Sequence, residues 1–99
     1  MASWSLLTKH GRVLLCIARN PNVRLRDIAA ALEITERSAY SIVGDLADDG
    51  YVIKLKEGRR NRYIVQRHLL LPEPMINERT VGEMLDALVD TKSRPRRTA

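Results

Sequence analysis

The sequence predicts a mainly α domain that carries one small β-hairpin. Three observations predict it. Apolar residues recur at spacings of three and four in separate stretches between residues 13 and 46, and again at 81–89, which is the helical period. The stretch "YVIKLKEGRRNRYIVQ" at 51–66 instead alternates with period two on both sides of a Gly- and Asn-containing turn, the pattern of a hairpin. Finally, 99 residues with 44% apolar content suit one globular domain rather than two, or a disordered chain. With no Phe, one Trp and three Tyr, the core has to be built from Leu, Ile, Val and Ala.

Thr8 is placed to cap a first helix starting at Lys9, with Leu7 just outside it as a staple. Val13, Leu14, Ile17 and Ala18 give that helix a broad apolar arc, and "NPN" at 20–22 ends it. "VRL" at 23–25 is too short to assign and reads as a short strand or a loop. From Arg26 a second helix resumes, with Leu25, Ile28, Ala29 and Leu32 on one side, and stops near Glu33. Thr35 offers a new cap for a longer helix running to about Asp49, whose inner face is Ala39, Ile42, Val43 and Leu46. Gly50 suits its end. Helix, short turn and longer helix form a helix-turn-helix layout. The hairpin follows, then "HLLLPEP" as a connector with two prolines. "TVGE" at 80–83 is a capping box ahead of the stripe Val81, Met84, Leu85, Leu88 and Val89. A last helix this short is marginal alone and must pack on something. "TKSRPRRTA" at 91–99 reads as a disordered basic tail.

The net charge of +5 is unevenly spread. Residues 1–50 hold six basic and six acidic groups; 51–68 hold six and one, giving +5; 69–91 hold one and five, giving −4; 92–99 hold four and none, giving +4. A localised cationic stretch is the electrostatic footprint of a polyanion binder, although a solvated, solubilising surface would look the same.

From Leu7 to Gln66 the sequence resembles the winged helix-turn-helix transcriptional regulators of bacteria and archaea, including the MarR-like and ArsR-like groups. The residues that carry the resemblance are "LRDIAAALEITERSAYSIVGDLADDGYV" followed by "GRRNRY". It implies a winged helix-turn-helix DNA-binding domain at 7–67; beyond it, the residue pattern gives a connector at 68–79 and an extra C-terminal helix at 80–90. It also implies a recognition helix at 35–49 in the major groove and a basic wing at 51–66 on the backbone or minor groove. The DNA-binding residues would be Arg26, Thr35, Glu36, Arg37, Ser38, Tyr40, Ser41, Lys54, Lys56, Arg59, Arg60 and Arg62. Their chemistry suits DNA contact. Arg37 matches a guanine edge, hydroxyls suit phosphates or bases, and the arginine fork pairs with phosphate. Asp45, Asp48 and Asp49 would repel a phosphate backbone, so they are expected to turn away or pair internally, which confines reading to the first two turns. The chain departs from the family pattern at two places. Glu33 stands where the turn often has Gly, and a left-handed residue there costs roughly 1 kcal/mol or more, which favours a rearranged turn. Arg24 stands where a capping Thr or Ser is common, with Asp27 compensating in part through the helix dipole.

Enzymatic activity is not expected: His10 and His68 lie far apart in sequence, and neither a Gly-rich phosphate loop nor a Ser/His/acid set is present. A lone Cys16 and two scattered histidines make no metal site, and Cys16 reads as a small core residue. No cofactor is expected. No signal peptide or membrane-length apolar run is visible, so the expected location is cytoplasmic. The partners expected are double-stranded DNA and a second copy of the chain, joined through Trp4, Leu6, Val81, Met84, Leu85, Leu88 and Val89. An effector would have to bind at an interface or in a small pocket. The function expected is that of a sequence-specific DNA-binding transcriptional regulator. The same fold also serves as a protein-interaction module, and the same charge suits a nonspecific nucleic-acid binder.

Overall fold

The computed structural model describes residues 4–89. In chain order they form α1 (Lys9–Arg19), α2 (Leu25–Leu32), α3 (Glu36–Asp48), β1 (Val52–Glu57), β2 (Arg60–Val65) and α4 (Val81–Leu88), with a 3-10 turn at Pro74–Ile76. Helices α1, α2 and α3 pack on one another, and the β1–β2 hairpin packs on α1 and α3. The core is aliphatic apart from one tyrosine. Val13 and Ile17 of α1, Ile28 of α2, Ala39, Ile42 and Val43 of α3, and Val52 and Tyr63 of the hairpin are all buried in it.

The helix starts follow from their caps. Thr8 Oγ1 accepts from the Gly11 N–H, and Thr35 Oγ1 from the Ser38 N–H at 3.0 Å. Arg24 precedes α2 without a side-chain cap. The "VRL" segment is loop at Val23 and helix from Leu25. The ends of α2 and α3 share one solution. The Ile34 N–H donates to Ala29 O and the Glu33 N–H to Ala30 O; likewise the Tyr51 N–H donates to Leu46 O and the Gly50 N–H to Ala47 O. Both are Schellman ends that need one residue in the left-handed region. Gly50 meets that need at φ 86°, and Glu33 at φ 59°. The turn between α2 and α3 is therefore not rearranged: Glu33 takes the conformation that glycine would take and carries its cost.

The hairpin register pairs Val52 with Val65, Lys54 with Tyr63, Leu55 with Arg62 and Glu57 with Arg60. The loop is the two residues Gly58 and Arg59, with Gly58 at φ 65°, as a type II′ hairpin demands at its first central position. Asn61, expected in the turn, is a β2 residue.

Beyond the hairpin, the connector folds back on itself. The Leu71 N–H donates to Arg79 O and the Val81 N–H to Leu69 O, which ties the connector to the start of α4. The capping box at Thr80 and Glu83 is formed; the Thr80 backbone N–H holds the exposed Glu83 carboxyl below its usual range. Arg67 Nη2 lies 2.8 Å from Asp86 Oδ1 and donates to Gly82 O. Val81, Leu85 and Val89 are buried within the chain, and α4 packs on α1. Val81, Leu85 and Val89 of the stripe expected to bind a second copy are thus turned inward, while Met84 is half-buried and Leu88 exposed. Residue 90 and the tail at 91–99 lie outside the described residues.

Gly82 is buried under Arg67, and a Cβ there would lie 3.0 Å from Arg67 Cβ. Gly44, in α3, has open space where its Cβ would stand. In chemical denaturation, Gly82→Ala is expected to destabilise by about 1–3 kcal/mol through overpacking, whereas Gly44→Ala stabilises by roughly 0.5–1 kcal/mol. A Gly82→Ala protein as stable as the parent would refute this packing of α4. Glu33→Gly is expected to stabilise by a few tenths to about 1 kcal/mol, because the left-handed cost exceeds the added chain entropy; a loss of stability would contradict the conformation at Glu33.

Candidate nucleic-acid interface

Helix α3 buries Ala39, Ile42, Val43 and Leu46, and so exposes Glu36, Arg37, Tyr40 and Ser41 on the opposite side. Thr35 and Ser38 are also exposed, but their hydroxyls serve the cap: Thr35 Oγ1 donates to Ser38 Oγ while accepting from the Ser38 N–H.

The hairpin's orientation is fixed by Tyr63, which is 3% exposed. Successive strand residues point to opposite faces, so the face of Tyr63 also carries its cross-strand partner Lys54, and Lys56 with Asn61. The other face carries Ile53, Ile64, Leu55 and Arg62, with Glu57 and Arg60 at its tip, from where the long Arg60 side chain reaches back to Asn22 O. Arg62, expected at the wing's contact surface, therefore stands on the side away from α3, 3.9 Å from Glu57.

Two adjoining depressions lie between hairpin and helices. One is walled by Arg24 and Arg26 at the start of α2, Glu36 of α3, and Arg59 and Arg60 at the hairpin tip. The other is walled by Tyr40, Ser41, Asp45 and Asp48 of α3 and by Lys54. Both share Leu25, Asn61 and Tyr63, so they adjoin at these residues as two ends of one grooved side of the chain. Glu36, Tyr40 and Ser41 on the outer side of α3 thus line the same adjoining depressions as the hairpin, whereas Arg37 lines neither. Arg60 is steadied there by donating to Asn22 O at 3.3 Å.

The groove is graded in charge. At the hairpin tip, four arginines surround the single carboxylate of Glu36. Among the described residues, Arg24, Arg26, Arg37, Arg59, Lys54 and Lys56 stand in no ion pair. Farther along α3, Asp45 and Asp48 face Lys54. The expectation that the acids turn away or pair internally is met only in part. Asp45 is held by His10 of α1, whose Nε2 lies 2.8 Å from Asp45 Oδ2, while Asp48 lines the groove without an ion-pair partner among the described residues. Burial raises the pKa of Tyr63, opposed by Asn61.

Sequence reasoning misses three participants. By pattern alone Arg24 reads only as a failed cap, Asn61 as a turn residue, and His10 as an isolated surface group. The register would reveal Asn61, because its period-two partner Tyr63 is the aromatic that the core has to bury. Of the residues expected at a dimer interface, Trp4, Leu6 and Leu88 are exposed, Met84 is half-buried, and Val81, Leu85 and Val89 are enclosed. Cys16 is half-buried against the core; burial raises its pKa, opposed by Arg12 and Arg19, which keeps it a thiol rather than a reactive thiolate. Among the described residues no three His, Cys, Asp or Glu side chains gather as a metal site, and no helix is long and apolar enough to cross a membrane.

No protein-family model matches the chain, and comparison with curated proteins gives no match.

Tyr63→Ala is expected to cost about 3–5 kcal/mol in chemical denaturation, as for other large aromatic truncations in a core, and to increase amide exchange throughout β1 and β2. A loss below about 1 kcal/mol would mean that Tyr63 does not anchor the hairpin.

Proposed function

We propose that this chain is a sequence-specific DNA-binding transcriptional regulator of the winged helix-turn-helix type. The observation that carries the reading is the pair of adjoining depressions, walled by α3 and by arginines that stand in no ion pair among the described residues. In this reading α3 enters the major groove, which is wide enough for a helix and displays a distinct pattern for each base pair. Arg37 is suited to a guanine edge and Glu36 to the amino group of cytosine. Tyr40 and Ser41 reach bases or phosphates from the next turn.

The hairpin supplies position rather than sequence. Arg59, Arg60, Lys54 and Lys56 lie against the phosphate backbone or the minor groove beside it, and Arg24 and Arg26 hold the backbone from the α2 side. Arg62 has a lesser part, because it lines neither depression and stands beside Glu57. Asp45 and Asp48 limit the reading surface to the first two turns of α3, where the groove is cationic. Nothing in this reading calls for catalysis or a cofactor.

Fluorescence anisotropy with a labelled duplex tests it. Affinity is expected to fall with salt at a log–log slope near −0.9 per phosphate neutralised. The double variant Arg59→Ala/Arg60→Ala and the pair Arg24→Ala/Arg26→Ala are each expected to weaken binding to all duplexes alike and to flatten the slope by about 2. Arg37→Ala should instead change the sequences recovered from a random pool. Arg62→Ala should stay within about twofold of the parent, the behaviour of a surface charge outside the contact. Both double variants binding as tightly as the parent would sink the reading.

A further inference from the structure

We propose that the depression at the hairpin tip binds a free nucleoside diphosphate or triphosphate whose base carries an exocyclic amino group, and that this ligand competes with nucleic acid for the same arginines. The cavity encloses about 420 Å³, within the range of small-ligand sites. Arg24 and Arg26 wall it from the α2 side, and Arg59 and Arg60 from the hairpin tip. None of the four stands in an ion pair among the described residues. With the Glu36 carboxylate they leave the cavity at a net +3. A diphosphate ester carries nearly the opposite charge, one on its inner phosphate and about 1.5–2 on its terminal one. The arginine fork also matches phosphate oxygens in shape.

Phosphate accounts for the arginines and for nothing else in the cavity. The half-buried Val23 and Leu25 and the buried Tyr63 line it too. A phosphate brings no apolar surface to cover them, and the Glu36 carboxylate repels it. Both features fit a base. Its ring covers the apolar carbons, and guanidinium planes stack on its face. Glu36 accepts from an exocyclic amino group, as a carboxylate does from that of cytosine. Asn61, also at the wall, has a donor and an acceptor for the rest of the base edge. A base in a duplex is held in its stack and leaves it only by flipping out. A separate nucleotide is therefore the occupant that brings phosphates and a free base edge together.

Binding of the nucleotide stands apart from the DNA reading. The competition rests on that reading, because Arg24, Arg26, Arg59 and Arg60 are also the groups that hold the DNA backbone in it.

Calorimetric titration of the full chain without DNA tests the site, with CDP, UDP and inorganic pyrophosphate as ligands. CDP is expected to bind with a dissociation constant below about 1 mM. UDP, which has a carbonyl oxygen where CDP has the amino group, should bind about tenfold more weakly, and pyrophosphate more weakly than CDP. Glu36→Gln should remove most of the preference for CDP over UDP. Arg24→Ala/Arg26→Ala should weaken CDP by about tenfold or more. Arg62→Ala, which removes a positive charge outside the cavity, should stay within about twofold of the parent. No binding of CDP at about 5 mM, equal affinity for CDP and UDP, or pyrophosphate as tight as CDP would each overturn the proposal. In anisotropy, CDP should displace a labelled duplex, and a duplex left in place by saturating CDP would overturn the competition. A chain that binds CDP but no duplex would refute the DNA reading alone, and one that binds duplex but no CDP would refute this site alone.

Discussion

The groove exists because one aromatic side chain in β2 has to be buried. Tyr63 is the single aromatic in the core, and the two-residue periodicity of a strand leaves nothing else free once it points inward. Lys54 must then face α3 and Leu55 must face away, since Lys54 is its cross-strand partner. A slip of β1 by one residue would exchange its faces, turning the lysines outward and Ile53 and Leu55 toward α3. The two-residue turn at Gly58 fixes the register from the other end. The Tyr63 N–H adds a bond to Pro21 O, 3.0 Å away, which ties β2 to the loop before α2. That bond, together with Arg60 reaching Asn22 O, brings the hairpin tip beside Arg24 and Arg26.

The second constraint is the pair of helix ends. Both α2 and α3 close with the same two hydrogen bonds and one left-handed residue, and both turn sharply back into the core through the next residue, Ile34 or Tyr51. This lets three short helices and a hairpin share a core in which, among the described residues, the Tyr63 side chain is the one that carries a polar atom. Glycine meets the requirement at one end and glutamate at the other. The strained choice falls immediately before α3, the helix whose outer side lines the groove.

Much of this was legible in the sequence, and the rest was hidden for identifiable reasons. Helix starts were readable because Thr8, Thr35 and Thr80 are local signals, each acting within three residues. The placement of the hairpin was readable from its alternation. Its facing was not, because "VIKL" and "YIV" are apolar at adjacent positions and fit either face. The conformation of Glu33 ran against intrinsic preference and was set by packing between α2 and α3. The destination of the α4 stripe was also open: an amphipathic helix fits a partner's surface or its own chain equally well by pattern, and only the tertiary contact with α1 decides. The partnership of His10 with Asp45 joins residues 35 apart in sequence, which no local pattern encodes.

Charge separates into two populations in the folded chain. The ion pairs among the described residues are His10–Asp45, Arg62–Glu57, Arg67–Asp86 and Arg79–Glu83, and the groove's arginines are in none of them. Four guanidinium groups around one carboxylate repel one another, and concavity adds to this by concentrating their field between low-dielectric walls. Folding brings these groups together and so raises their mutual repulsion, a cost that a polyanion bound as proposed would remove. At the other end of the groove Asp48 reverses the field. In the proposed reading, a polyanion lying along α3 would meet attraction at the helix start and repulsion about three turns later, which fixes the end from which it would be held. Screening weakens both effects over about 8–10 Å at moderate salt. Orientation along the groove and affinity for it should therefore decline together as salt rises, because the same few charges set both.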